Sequence, residues 1–94
     1  MHITMVKKIK ADGSPCNKCA DVERRLHAAG LQDRIDSVAI ADERDPLSEG
    51  MQLAHKHRVE RAPFFIVEDD TGKTKIYTIY FQLLKEVLGV GKKY

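Results

Sequence analysis

The sequence predicts a single α/β domain, and three observations carry that prediction. Apolar runs of strand length alternate with stretches of helical spacing, Gly, Pro and Asp mark the breaks between them, and no repeat or linker divides the chain. At 94 residues there is material for one core and not for two. The expected order is strand, helix, strand, helix, strand, strand, helix.

Ile3 to Ile9 carries Ile, Thr, Met and Val before lysines crowd its end, and Ala11-Asp12-Gly13-Ser14 breaks it, as suits a strand and a loop. From Pro15 onward Cys19, Val22, Leu26 and Ala29 recur at helical spacing, with Ser14 and Pro15 as start residues and Gly30 as the stop. Ile35 to Ala41 reads as the second strand. The second helix is expected to open at Asp45 and Pro46, with Leu47, Met51 and Ala54 as its apolar stripe and His55 to Arg58 compensating the dipole at its end. Ala62-Pro63 is a break. Phe64-Phe65-Ile66-Val67 is apolar on both faces, which predicts a strand covered on both sides near the sheet centre. Asp69 to Gly72 supplies a tight turn and Lys73 to Thr78 the returning strand of an antiparallel hairpin. The last helix is expected from about Tyr80 to Leu88, with Thr78 as cap, a stripe of Phe81, Leu84, Val87 and Leu88, and Gly89 as stop; Lys92, Lys93 and Tyr94 read as a frayed tail.

Composition excludes several function classes. Hydrophobic residues make up 43% of the chain and charged ones 32%, far from the composition of a disordered segment. Sixteen Lys and Arg stand against fourteen Asp and Glu, so the net charge of +2 provides no broad field for nucleic acid. No apolar run approaches the roughly 20 residues of a membrane helix, and the first ten residues do not read as a signal peptide. The expectation is a cytoplasmic monomer with neither a nucleic-acid nor a membrane partner. Two cysteines cannot build a disulfide framework, and in a reducing compartment they are expected to be chemical.

Those two are Cys16-Asn17-Lys18-Cys19, at the point where a loop gives way to a helix. Unpaired N–H groups and the positive end of the dipole stabilise a thiolate there, and Cys16 gains most. Lys18 adds a nearby positive charge. One turn further in, Cys19 falls on the apolar stripe, so it is shielded and suited to resolve a mixed disulfide. Cys16 and Cys19 are thus the catalytic candidates, nucleophile and resolving thiol. Three other readings stand beside this one. A structural staple across so short a loop stabilises by only about 2 kcal/mol. Both thiols can be inert apolar residues at a helix start. A zinc site with His55 and His57 meets the difficulty that the two imidazoles, two positions apart on a helix, point about 200° away from each other. Asp12 reads as a solvated loop acid, and Lys7, Lys8 and Lys10 as a solvated strand end.

Ser14-Pro15-Cys16-Asn17-Lys18-Cys19 after a first strand, together with Val59 to Val67 before a hairpin, resembles the thioredoxin/glutaredoxin superfamily, and the element order matches its minimal fold along nearly the whole chain. The resemblance implies a four-stranded mixed sheet with the hairpin antiparallel to the first two strands. It also implies the first and third helices on one face, the second on the other, and a cis bond at Ala62-Pro63 facing the cysteines. Backbone groups beside Pro63 would then receive an extended substrate, with Ala62, Pro63, Asn17 and Lys18 as the substrate-binding set. Asn17-Lys18 differs from the Gly-Pro of thioredoxins and the Pro-Tyr of glutaredoxins, so no reduction potential carries over, and Tyr77-Thr78-Ile79-Tyr80-Phe81 stands where glutathione-binding glutaredoxins have a Gly-Gly turn and a nearby Asp, so a glutathione site does not carry over either. The expected function is a thiol-disulfide oxidoreductase acting on a protein or small-molecule disulfide with an external reductant, and with no organic cofactor or metal. Its rival is a non-catalytic module of the same fold that senses redox state or carries a metal or sulfur group on the same cysteines.

Overall fold

A computed structural model describes residues 1–89. The expected tail at Lys92 to Tyr94 lies outside the described residues. Strands β1 (His2–Ile9), β2 (Ser37–Asp42), β3 (Phe64–Glu68) and β4 (Thr74–Tyr77) and helices α1 (Asn17–Ala28), α2 (Glu49–His57) and α3 (Tyr80–Glu86) follow one another in the predicted sequence of types. The strands form one mixed sheet in the order β2-β1-β3-β4. β1 runs parallel to β2, with Val6 opposite Ala39, and antiparallel to β3, with Met5 opposite Phe65. β3 and β4 make the expected antiparallel hairpin.

Strand alternation explains the two cores. Ile3 and Met5 of β1 and Phe65 and Val67 of β3 point to one face, where Val22 and Leu26 of α1 and Leu83 of α3 cover them. Val6, Phe64, Ala39 and Ala41 point to the other, under Met51, Leu53 and Ala54 of α2. Helices therefore lie on both faces, and β1 and β3, the two central strands, are the most apolar. Gly50 brings α2 close to the sheet: a Cβ there would run into the backbone of Ile40 and Ala41. At the uncovered edge, Val38 and Ile40 of β2 are 52% and 37% exposed.

The helix starts depart from expectation. α1 begins at Asn17 because Pro15 still pairs with Ile9 across an isolated bridge and Cys16 takes the capping position. α2 begins four residues after its expected cap. The Asp45 carboxylate accepts the Leu47 N–H at 3.0 Å and its carbonyl accepts the Ser48 N–H at 3.1 Å, closing a turn in place of a helical start. Ser48 is then the residue before α2, and Leu47, expected on the apolar stripe, is 78% exposed. α3 has Ile79 and not Thr78 before its first residue and ends at Glu86. Its phase puts Leu83 in the core and leaves Phe81 outside, with the Lys85 ammonium 5.3 Å from the Phe81 ring centre. β2 starts after its expected position because Gln32–Arg34 forms a short 3-10 turn, and Asp36 ties down the junction by bonding Ile3 through both backbone and side chain.

Candidate functional site

The end of β1 positions both cysteines. The chain turns back after Ile9 through Gly13, whose φ of +85° suits glycine, and the Ser14 carbonyl accepts the Lys10 N–H at 2.9 Å. Returning alongside β1, the Cys16 N–H donates to the Lys8 carbonyl at 3.3 Å. The Lys8 N–H in turn donates to the Cys19 sulfur at 3.5 Å. Lys8 thus holds Cys16 by its carbonyl and Cys19 by its amide. The Asp12 carboxylate, exposed as expected, accepts from both the N–H and the hydroxyl of Ser14 and stiffens the loop before them.

Cys16 itself caps α1. Its backbone is extended (φ −76°, ψ 123°) and its sulfur accepts the Cys19 N–H at 3.4 Å, the bond a serine or aspartate oxygen makes at this position. The thiol donates to the Ala62 carbonyl 3.9 Å away. Burial acts to raise the pKa of Cys16, but the Cys19 thiol and the N–H groups of Cys19 and Lys18 bond its sulfur, and the Lys8 ammonium lies nearby. Together these outweigh burial and hold the thiol below its ordinary value. For Cys19 burial dominates, and with the Cys16 hydrogen bond beside it the thiol is pushed up to about 11. Cys16 is 8% exposed and Cys19 2%, and both are free thiols. The two differ in the direction expected of a nucleophile and a shielded partner.

Asn17, Lys18, Ala62 and Pro63 line one cleft of about 490 Å³ beside the pair, so the four candidate binding residues come together. Asn17 and Lys18 reach it as exposed side chains, whereas Pro63 is buried. The Ala62-Pro63 bond is cis. Thr78 and Tyr80 close the far wall, and Tyr80 packs on Phe65 with ring centres 6.4 Å apart. His55 and His57 line different cavities, and among the described residues no group of three or more His, Cys, Asp or Glu side chains converges.

Sequence reasoning missed Lys8 and Arg61. Lys8 is half-buried with its ammonium 3.8 Å from Glu43 and 3.5 Å from the Glu60 carbonyl, where a solvated strand end was expected; its role follows from register, which spacing alone does not display. Lys7 likewise pairs with Glu23 at 2.8 Å on the opposite face. Arg61 lies immediately before Ala62 and borders the clefts on both sides of it, a position readable from its adjacency to Ala62-Pro63. No helix among the described residues is long and apolar enough to cross a membrane. Comparison with protein-family models, with curated proteins and with solved structures finds no match to this chain.

Proposed function

We propose that the chain is a thiol-disulfide oxidoreductase of thioredoxin-like architecture, with Cys16 as nucleophile and Cys19 as resolving thiol. The observation that carries this reading is the capping position of Cys16, whose sulfur accepts the Cys19 N–H at 3.4 Å. A sulfur in that place favours its thiolate, the form that attacks disulfides. The thioredoxin-like assignment draws support from the strand order β2-β1-β3-β4, the placement of helices on both faces and the cis Ala62-Pro63 bond.

In the reducing direction the Cys16 thiolate attacks one sulfur of the substrate disulfide. A Cys16–substrate bond forms, the substrate S–S bond breaks, and the departing thiolate takes a proton from water. Cys19 then loses its proton and attacks the Cys16 sulfur, forming the Cys16–Cys19 disulfide and releasing the second substrate thiolate. Two electrons pass to the substrate, and an external dithiol restores the pair. The Arg61 and Ala62 N–H groups make no hydrogen bond among the described residues, and they border the cysteines where an extended substrate can add as a strand.

The test is reduction of a disulfide-containing peptide with dithiothreitol as the external reductant. Catalysis above the dithiothreitol background, lost in Cys16→Ser, supports the reading. Equal rates with and without the protein overturn it and favour a stoichiometric carrier or sensor.

A further inference from the structure

Two clefts meet at the residue that Cys16 touches. The first, of about 490 Å³, lies on the α1 and α3 side and holds Lys18, Arg24 and Asp21. The second, of about 630 Å³, lies on the α2 side and holds Lys8, His55, Arg58, Glu43 and Glu60. Arg61 and Ala62 line both, and the Cys16 thiol donates to the Ala62 carbonyl.

Their charges do not cancel. Lys8 is paired with Glu43 at 3.8 Å and Arg24 with Asp21 at 3.4 Å. Lys18, Arg58 and Arg61 line the clefts, are exposed, and make no ion pair among the described residues; of the lining acids, Glu60 alone is in that condition. Since the whole chain carries only +2, this positive surplus beside the cysteines is local. Arg58 adds a second indication. It ends α2 at φ 56° and ψ 45°, a left-handed conformation that suits glycine, and it is the one non-glycine residue with positive φ among those described. That conformation sets Arg58 in the lining of the second cleft.

We propose that the two clefts bind an extended acidic polypeptide segment, with its carboxylates on either side of the disulfide that Cys16 attacks. This rests on the oxidoreductase reading and names its substrate class. The unpaired cations are distributed to suit a chain, with Lys18 in one cleft, Arg58 in the other and Arg61 at the junction. A small anionic disulfide held in either cleft meets two of the three cations, whereas a polypeptide laid across Arg61 and Ala62 engages all three together.

Two readouts separate this proposal from the function beneath it. Fluorescent peptides without cysteine, equal in length and rich in Glu, neutral, or rich in Lys, are titrated into the intact oxidised protein and followed by anisotropy. Matching peptides with one disulfide, and glutathione disulfide as the small anion, are compared as substrates. The acidic peptide is expected to bind most tightly and to show a kcat/KM about tenfold or more above the neutral one at low salt, with the preference collapsing as salt rises. Arg58→Gln and Arg61→Gln should each shrink that preference. If Arg58→Gln fails to fold, Lys18→Gln and the salt dependence of the unaltered protein read the same quantity. Equal binding of the three peptides overturns the proposal, as does a higher kcat/KM for glutathione disulfide than for the acidic peptide. Reduction of all peptides at one rate leaves the oxidoreductase standing and removes the acidic preference. Tight acidic binding without turnover keeps the docking surface and removes the oxidoreductase.

Discussion

The Cys19 N–H donates to the Cys16 sulfur at 3.4 Å, so one residue of the pair supplies the bond that favours the thiolate of the other. The same helical turn leaves Cys19 2% exposed and Cys16 8%. One short stretch of backbone therefore splits two chemically identical side chains into unlike acids, and each consequence can be measured.

Iodoacetamide alkylation of the reduced protein, followed by mass spectrometry across pH, should give Cys16 a midpoint below the ordinary thiol value and Cys19 one near 11. At neutral pH the label should fall on Cys16. In denaturant the two midpoints should converge, because the hydrogen bonds and the burial that separate them belong to the folded chain. A folded-state midpoint for Cys16 at or above the ordinary value would remove it as nucleophile.

The raised Cys19 pKa also predicts how stability changes with pH. Below an unfolded value near 9 the thiol is protonated in both states; between about 9 and about 11 the unfolded chain releases the proton while the folded chain retains it. Stability is therefore lost as pH rises through that window. Urea unfolding of Cys16→Ser and of the double variant Cys16→Ser, Cys19→Ser isolates this contribution, because every other titrating group is shared. The stability of the single variant relative to the double should fall from pH 9 to 11, and a flat difference would contradict the burial of Cys19.

Lys8 separates backbone from side-chain effects. Its N–H and carbonyl hold the two cysteines whatever its side chain, whereas its ammonium lies near Cys16 and favours the thiolate. Lys8→Met should raise the alkylation midpoint of Cys16 and lower its rate at neutral pH. Its ion pair with Glu43 is partly exposed, so the loss of stability should stay within about 1 kcal/mol. A large loss with an unchanged midpoint would make Lys8 a structural residue only.

Most of the fold and the cysteine pair were legible because they rest on local signals. The Ile, Thr, Met and Val of Ile3 to Val6 and the break at Ala11 to Ser14 mark β1, the doubly apolar run of Phe64 to Val67 marks β3, and both are central strands. The misplaced boundaries share one cause: polar residues that cap helices also close turns. Asp45 does the latter, which displaces the start of α2 and exposes Leu47. In α3 a short segment has several amphipathic phases, and packing against Phe65 and Tyr77 selects the one that buries Leu83 in place of Phe81. Lys8 and Arg61 acquire their places through strand pairing and through the approach of distant segments.

Gly50 tests the packing of α2 on the sheet. It is buried although glycine is a poor helix former, and a Cβ at this position would collide with the backbone of Ile40 and Ala41. In an exposed helix Gly→Ala stabilises, since alanine gains up to about 1 kcal/mol in propensity. Here the collision involves β2 backbone, which has no side chain to rotate aside, so α2 must move outward. Gly50→Ala should therefore destabilise by about 1–3 kcal/mol in urea unfolding, against the propensity trend. The loosened α2 should also widen the cleft that it shares with Arg58 and Arg61 and speed alkylation of Cys16. Stabilisation by Gly50→Ala would show that α2 does not lie against Ile40 and Ala41 as described.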